Sequence, residues 1–266
     1  MKQLIIAFLL ALPAVAQAQC NYKNEAFQSG EFLSYNLYYN WKFVWVKAGT
    51  ASMSVVQSTY KGKEAYRGSL ITRGSSQADN FFVLRDTLLC YSSLDMVPLY
   101  FRKGAREGKR YNVDEVFYSY PNGKVQTRQY RQRTDGTYTW QTNIHETCVY
   151  DMMNIFLRAR SFNPEGWKRG NEIKFPIVDG RSKINAKMVY RGKSVVKGDN
   201  GKRYRCLELS YIETEDGETK EIARFFVSDD SNHVPVRIDM NLKFGSAKAF
   251  VVGMKGLKNS VASEVK

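Results

Sequence analysis

Alternation of apolar and polar side chains with a period of two residues is the feature that most constrains how this sequence can fold. In Val234–Phe244 every even-numbered residue is apolar and most odd-numbered residues are polar, and Leu33–Trp45 alternates in the same way. This is the period of a β-strand with one buried face. About a dozen such segments recur, separated by turn sequences such as Pro121-Asn122-Gly123. The pattern predicts antiparallel hairpins that form a curved sheet or an incomplete barrel of about twelve strands.

A single long segment, Thr147–Arg160, has a helical period instead. Its apolar residues recur at spacings of three and four, which places them on one face of a helix: Val149, Met152, Met153, Phe156 and Leu157. Thr147 is a candidate N-cap. The predicted fold class is therefore all-β with one central helix. Since no long linker interrupts the chain, we predict a single β-rich domain of two β-halves around helix 147–160.

The first 18 residues have the three regions of a secretory signal peptide in order. Lys2 is followed by the apolar run Leu4–Val15 and then by the small-residue site Ala16-Gln17-Ala18. We predict cleavage after residue 18, which leaves residues 19–266 as an exported domain in the periplasm of a Gram-negative bacterium. No later segment approaches the roughly 20 apolar residues that a transmembrane helix needs.

Four cysteines follow the predicted signal peptide: Cys20, Cys90, Cys148 and Cys206. An even number without a C-x-x-C pair in an exported chain favours disulfides over a metal or redox site, and the sequence leaves all three pairings open. Buried free thiols are the alternative. Cys20 also lies where bacterial lipoproteins are acylated, although Gln19 stands where their signals have a small residue.

The chain is strongly basic, with 40 Lys and Arg against 26 Asp and Glu and a formal net charge of +14. Such an excess favours anionic partners, and because an exported protein seldom meets nucleic acid, we expect an anionic surface of the cell envelope instead. Two basic segments that a hairpin would bring together form a candidate anion-binding patch: Arg102, Lys103, Arg106, Lys109, Arg110, Arg128 and Arg131. A solvated face that keeps the protein soluble is the alternative interpretation.

Large apolar side chains on the first strand, near residue 81 and on the helix form a candidate ligand cavity between sheet and helix. They are Trp41, Phe43, Trp45, Phe81, Met152, Met153 and Phe156. An ordinary packed core is the alternative, since apolar stripes usually fill space with each other. Two adjacent methionines on the helix favour the cavity, because flexible thioethers suit adaptable apolar surfaces.

The sequence gives little support to catalysis. His145 and His233 are the two histidines, neither belongs to a zinc-binding helix motif, and no G-x-S-x-G or phosphate-binding loop occurs. Asp229 and Asp230 lie in a turn-like stretch, where aspartates cap turns with their own side chains. We therefore predict no catalytic residue, no metal ligand and no cofactor.

Several spaced motifs resemble a family of uncharacterised exported bacterial proteins that share a domain of unknown function. The motifs are Gly30–Tyr35, Val46–Ala51, the helix with Asp151 and Leu157-Arg158, Phe226–Asp230 and Val234–Arg237. The resemblance implies an exported β-protein and no particular activity. More distantly, the order of β-half, helix and β-half is similar to the periplasmic lipoprotein carriers, the localisation factors A and B. Those are incomplete barrels closed by helices over an apolar cavity for acyl chains, and they have more helices than this chain.

These features support three hypotheses about function. The first is an exported, non-enzymatic binding protein that holds a hydrophobic or amphipathic ligand, such as a lipid, between sheet and helix. The second is a structural or adaptor protein of the cell envelope that docks on an anionic surface through its basic face. A weaker third is a glycan-active hydrolase whose paired carboxylates the sequence does not identify.

Overall fold

The computed structural model describes residues 20–266 except 42–43, 216 and 243–244. The predicted signal peptide, residues 1–18, lies outside the described residues. Fifteen strands form one sheet. They are β1 (Glu31–Trp41), β2 (Val44–Tyr60), β3 (Lys63–Gly74), β4 (Leu84–Ser93), β5 (Pro98–Glu107), β6 (Arg110–Ser119), β7 (Val125–Gln132), β8 (Tyr138–His145), β9 (Glu172–Val178), β10 (Lys183–Lys197), β11 (Arg203–Glu215), β12 (Glu218–Ser228), β13 (Pro235–Asn241), β14 (Ser246–Lys255) and β15 (Glu264–Val265). Two helices, α1 (Ser76–Asp79) and α2 (Met152–Ala159), and a 3₁₀ turn at Pro121–Gly123 complete the described elements.

The sheet consists of two meanders joined at one seam. Its strand order is β8-β7-β6-β5-β4-β3-β2-β1-β14-β13-β12-β11-β10-β9, with β15 added to β11. Every strand up to β8 therefore pairs with its neighbour in sequence, and so does every strand from β9 to β14. The antiparallel β1–β14 pair, in which Tyr35 lies opposite Val251, joins the halves. The free edges are β8 and β9, which are the two strands that flank α2 in sequence.

The sheet curls around α2 but does not close into a barrel. The Gln129 amide on β7 donates to the backbone oxygens of Asp179 (2.7 Å) and Ser182 (3.2 Å) in the β9–β10 turn, so side-chain contacts bring the two ends of the sheet together. We call the side of the sheet that α2 packs against the inner face and the opposite side the outer face. The predicted fold class, an all-β curved antiparallel sheet around a central helix, is confirmed.

Three details differ from the sequence prediction. The described residues form fifteen strands, against about twelve expected. The predicted strand Leu33–Trp45 belongs to two of them: β1 ends at Trp41 and Trp45 already belongs to β2, which pairs antiparallel with β1, so the chain reverses where a bend was expected. A four-residue helix, α1, lies between β3 and β4. The central helix begins at Met152 and not at Thr147, because the backbone of Tyr150 pairs with Ile177 of β9 and Asp151 supplies the cap.

Glycine allows α2 to approach the inner face closely. A Cβ atom at Gly68 on β3 would lie 2.9 Å from the Sγ of Cys90 and 3.1 Å from a methyl group of Leu157. Met153 and Leu157 therefore pack directly on β3 and β4 as part of the main core. Ile155 belongs to a second apolar cluster formed with β9, β10 and β11. The helix thus separates two apolar clusters inside the curled sheet.

A buried ion pair fixes the end of α2. The guanidinium of Arg160 donates to Glu31 at the start of β1 (Nη2 to Oε2, 2.9 Å) and to the backbone oxygen of Asn232 (3.0 Å). Both charged side chains are almost fully buried. The Asn232 amide in turn donates to the backbone oxygens of Asn259 and Ser260 in the C-terminal tail. These contacts join the first strand, the helix and the tail, and they explain why a Glu follows Gly30 in the first motif.

Candidate ligand-binding site

Asp151 positions the start of α2. Its carboxylate accepts hydrogen bonds from the backbone N–H groups of Met153 (3.0 Å) and Asn154 (2.8 Å), from the Asn154 amide (2.6 Å) and from the Tyr118 hydroxyl (3.0 Å). Burial raises the pKa of this carboxyl from its ordinary value of 3.8 to about 6, against the opposing effect of the hydrogen bonds from Asn154 and Tyr118. The polar groups at this end of the helix therefore bond to each other inside the protein.

The sector of α2 that is open to solvent is apolar. Met153 on one side and Ile155 on the other are buried, whereas Met152 is 45 % exposed and Phe156 is half-buried. Successive residues of a helix are rotated by about 100° around its axis, so Met152 and Phe156 lie about 40° apart. Both lie between the buried side chains of Met153 and Ile155. A helix at a protein surface normally turns its polar residues outward, yet Asn154 is buried here. An apolar strip in the middle of the helix surface is thus left without complete packing.

The wall opposite this strip is also apolar and incompletely buried. The ring centroid of Phe225 on β12 lies 6.0 Å from that of Phe156. Phe225 is directly opposite Ile238 on β13, and Met240 lies two residues further along the same face. All three side chains are half-buried. The sequence marks them as alternating strand residues but does not show which strand faces the helix, so their place opposite α2 could not be predicted from the sequence.

The structure describes the side chains of five of the seven residues of the predicted cavity, and these five do not all lie together. Met152 and Phe156 share the open sector of α2, while Met153 packs into the main core. Trp45 lies at the start of β2 on the outer face, 38 % exposed, with the Lys248 ammonium 4.3 Å from its ring centroid. Phe81 lies in the loop between α1 and β4 and is 82 % exposed. The side chain of Trp41 and the whole of Phe43 lie outside the described residues.

Register likewise divides the predicted anion-binding patch between the two faces. On the inner face, Lys103 lies opposite Asp114, and Asp114 lies opposite Arg131, whose Nη1 is 3.2 Å from the carboxylate. On the outer face, Arg128 lies over the ring of Trp140 at 4.1 Å. The remaining patch residues lie on the outer face of β5 or at the β5–β6 turn: Arg102, Arg106, Lys109 and Arg110. Consecutive residues point to opposite faces of a strand, so Arg102 and Lys103 cannot contact the same ligand.

Buried carboxyl groups accompany the inner cations. Burial raises the pKa of Asp86 on β4 to about 6, although the nearby Lys103 opposes the shift and Glu107 adds to it. Burial also raises the pKa of Asp114, against the opposing charge of Arg131. One part of the inner face is therefore charged, whereas the part formed by β12 and β13 is apolar. Such a division suits an amphipathic ligand.

Comparison with known proteins identifies the family. The family model described as "Protein of unknown function (DUF3108)" matches residues 34–252, which include almost all of the sheet and α2. The chain belongs to the DUF3108 family. The predicted membership of a family of unknown function is therefore confirmed, and curated proteins offer no match to the sequence.

Solved structures resemble the DUF3108 chain in fold. A beta-barrel-like protein of domain of unknown function DUF1849 from Brucella abortus is 12 % identical, with a TM-score of 0.56 over 86 % of this chain and 99 % of the other. A putative exported protein with a YmcC-like fold from Bacteroides fragilis is 10 % identical, with a TM-score of 0.38 over 89 % of this chain and all of the other. The first of these similarities supports the barrel-like architecture and nothing about activity.

The cysteines of this DUF3108 protein include both of the alternatives that the sequence left open. Cys20 and Cys148 form a disulfide with Cα atoms 5.4 Å apart, while Cys90 and Cys206 are buried free thiols. Burial raises the pKa of both thiols, that of Cys206 to about 12, which keeps them unreactive. Because its Sγ is in the disulfide, Cys20 is not available for acylation. A disulfide of this kind is typical of secreted and periplasmic proteins.

The polar residues considered for catalysis have structural partners. The Asp230 carboxylate accepts hydrogen bonds from the Ser228 and Ser263 hydroxyls and the Asn232 backbone, and Asp229 pairs with Lys193. His145 is buried against Thr127 at 2.9 Å. Among the described residues, no group of three or more His, Cys, Asp or Glu side chains could hold a metal ion. Within the same residues, none of the helices has the length and apolar character to cross a membrane.

Proposed function

We propose that this DUF3108 protein is an exported, non-enzymatic binding protein that holds a hydrophobic or amphipathic ligand, such as a lipid, between α2 and the inner face. The observation that carries the proposal is the apolar open strip of Met152 and Phe156 opposite Phe225. Each buried CH₂ group of a ligand would gain about 0.8 kcal/mol there. The Gram-negative periplasm, which the signal-peptide sequence and the disulfide favour, contains lipids that need such carriers.

The charged part of the inner face supports an amphipathic ligand over a purely apolar one. Lys103 and Arg131 are only partly exposed and share this face with the apolar wall. They pair with Glu107 (3.7 Å) and Asp114 (3.2 Å), and an anionic head group would compete for these cations. A carboxylate or phosphate head group would find cations there, while its acyl chain would cover the strip on α2. The buried carboxyl group of Asp86, whose Oδ1 has no hydrogen-bond partner, would accept a donor from such a head group.

A fluorescent fatty acid, dansyl-undecanoic acid, tests this proposal. Substitution Met152→Gln preserves the length of the side chain but places an amide in the apolar strip, so we expect Kd to rise about tenfold, equivalent to about 1.4 kcal/mol. Unfolding temperature should hardly change, because Met152 is already half exposed. Leu94→Gln is the matched control, since Leu94 is 41 % exposed in the β4–β5 turn, and it should leave Kd unchanged.

Native mass spectrometry of protein purified from its own periplasm provides a second measurement. A copurifying lipid that is present in the wild type and depleted in Met152→Gln supports the proposal. Equal probe affinity in the wild type and Met152→Gln, or the absence of both copurifying lipid and probe binding, would refute it and favour the filled core of an envelope adaptor.

A further inference from the structure

A stripe of aromatic rings crosses the outer face of the N-terminal meander. Seven residues form it: Tyr60, Tyr91, Tyr100, Phe117, Tyr130, Tyr138 and Trp140. Ring centroids lie 5.9 Å apart between Tyr60 and Tyr100, 5.1 Å between Tyr100 and Phe117, and 6.0 Å between Phe117 and Trp140. With neighbouring strands about 4.8 Å apart, the stripe extends for about 20 Å from β4 to β8.

The stripe does not belong to the core of the protein. The core and α2 lie on the inner face, whereas Tyr138 and Trp140 of the stripe are 63 % and 44 % exposed. The other five rings are half-buried. Isolated exposed aromatic residues are common on proteins, whereas a contiguous row of partly exposed rings is a candidate interaction site. Neighbouring rings of the stripe are tilted by 17° to 52° against one another, so they form a long, uneven aromatic surface and not a pocket for a single small molecule.

Arginines flank the aromatic stripe on the same face. Arg67 lies opposite Tyr91, and Arg128 lies opposite Phe117, so both belong to one cross-strand row with the rings. Across β3 to β8, all of whose residues the structure describes, Glu115 is the one carboxylate among the outer-face strand positions, and Arg102 (3.7 Å) and the Tyr100 hydroxyl already engage it. The face therefore carries a large excess of positive charge.

A second row of arginines lies beside the stripe. Arg73, Arg85 and Arg106 are directly opposite one another on β3, β4 and β5. Like charges in directly opposed positions destabilise a sheet. Asp79 pairs with Arg85, which leaves the row with a net positive charge. A bound anion would relieve this repulsion, and guanidinium groups match the geometry of carboxylates.

The arginine row continues into a groove on β1 to β3 whose lining is partly polar and partly apolar. The groove has a volume of about 380 Å³, and its lining includes the polar residues Ser34, Asn36, Thr50, Ser52 and Arg73 and the apolar residues Ile71 and Val252. Asn36 lies opposite Thr50, and Thr50 lies opposite Arg73. The Asn36 amide already donates to Asp199 (2.6 Å), whereas the hydroxyl groups and the Arg73 guanidinium at this end can bond to the hydroxyl groups of a sugar.

We propose that the aromatic stripe, the arginine row and the adjoining groove on the outer face bind an acidic polysaccharide. The C–H faces of sugar rings are attracted to the negative faces of aromatic rings, and their carboxylates pair with arginine. A linear polymer with a negative charge on each sugar would lie along the aromatic stripe, so that successive sugars contact both aromatic rings and arginines. A phospholipid surface would also attract both the arginines and the rings, but the rings form one narrow row, which matches a linear polymer better than the plane of a membrane. This site lies on the opposite side of the sheet from α2 and is independent of the ligand site proposed above.

Affinity electrophoresis with polygalacturonate, a linear polymer with a carboxylate on each sugar, tests the proposal. We expect the protein to bind polygalacturonate at least tenfold more tightly than neutral dextran, and binding should weaken as salt increases. Trp140→Ala and Arg128→Gln should each weaken binding fivefold or more. Trp45→Ala is the matched control, since Trp45 is also an exposed outer-face tryptophan with a cation over its ring, but it lies outside the stripe.

Three outcomes would overturn the proposal. One is equal affinity for polygalacturonate and dextran. Another is an affinity that Trp140→Ala and Arg128→Gln leave unchanged while both variants keep the unfolding temperature of the wild type. The third is binding to phosphatidylglycerol vesicles without binding to polygalacturonate, which would identify the face as a membrane contact. Met152→Gln should leave polygalacturonate binding unchanged, so failure of one proposal does not imply failure of the other.

Discussion

At the scale of single residues, the buried carboxyl group of Asp151 stabilises the start of α2 and so positions the residues of the proposed ligand site. Its four hydrogen bonds hold the first turn of α2 and connect it to Tyr118 on β6. These hydrogen bonds occupy the polar groups at the start of the helix. Met152 is then the exposed residue of the first turn. Burial of this carboxyl group is unfavourable when the group is charged, because the protein interior solvates a charge less well than water does.

Asp151 predicts a pH dependence of stability. Its pKa is about 6 in the folded protein and 3.8 ordinarily, so between these values the folded state binds the proton and the unfolded state does not. The free energy of unfolding therefore decreases as pH rises from about 4 to about 6, by up to about 3 kcal/mol, and this contribution is constant above that range. Asp151→Asn keeps an N-cap side chain but removes the titration. We would measure the free energy of unfolding with urea at pH 4.5 and at pH 7. The difference between the two values should be smaller in Asp151→Asn than in the wild type, and an equal difference would contradict the raised pKa of Asp151.

At the scale of elements, α2 depends on its attachments. Eight residues are too few for a helix that is stable by itself. Three attachments hold it: the Cys20–Cys148 disulfide just before it, the Tyr150–Ile177 bridge to β9, and the Arg160–Glu31 pair at its end. The attachments lie at its ends, so the middle of the helix can present an apolar strip without losing its position.

Loss of the disulfide should destabilise this arrangement. Its cysteines are 128 residues apart in sequence, and closing a loop of that length in the unfolded chain corresponds to about 4–5 kcal/mol in the loop-entropy model. The double variant Cys20→Ser, Cys148→Ser should therefore unfold at a clearly lower urea concentration. Reduction with dithiothreitol should lower the midpoint of the wild type and leave that of the double variant unchanged. Peptide mapping should find Cys90 and Cys206 alkylated only after unfolding, and any other bridge would contradict the pairing.

At the scale of the whole molecule, the β1–β14 seam joins the two meanders, and we expect them to form one folding unit. Strands within each meander pair with neighbours in sequence, but the seam and the closure between β7 and the β9–β10 turn join distant parts of the chain. Such long-range contacts make folding slow, because the chain entropy of large loops must be overcome before they form. Each meander alone would expose the seam edge of β1 or β14 and one wall of the α2 site.

Division of the chain should show that each meander needs the other to fold. A cut between Glu165 and Gly166, in the exposed connection after α2, gives fragments 20–165 and 166–266. We expect neither fragment to unfold cooperatively alone, and we expect their mixture to form a 1:1 complex with the circular dichroism spectrum of the intact chain. The intact chain refolded in parallel is the control. Cooperative unfolding of the isolated C-terminal fragment would show instead that the halves are independent domains.

The sequence by itself determined the strands, the central helix and the family of this protein. Alternation in Leu33–Trp45 and Val234–Phe244 and the helical period around Met153 are local patterns, and short-range sterics and burial of one face are enough to specify them. The curved antiparallel sheet follows from those patterns and was confirmed. Membership of a family of unknown function was expected from the spaced motifs, not from the periodicity, and it was confirmed as well.

Only the tertiary structure decided which of the predicted residues meet. Arg102 and Lys103 are adjacent in sequence but lie on opposite faces, so one basic patch became an inner and an outer set. The partner of Cys148 is Cys20, and Phe225 faces Phe156, because the curl of the sheet and the β1–β14 register bring them together. Register across many strands depends on packing of the entire sheet, and a shift of one residue exchanges its two faces. That is why local patterns specified the elements, while the assembled sheet specified the sites.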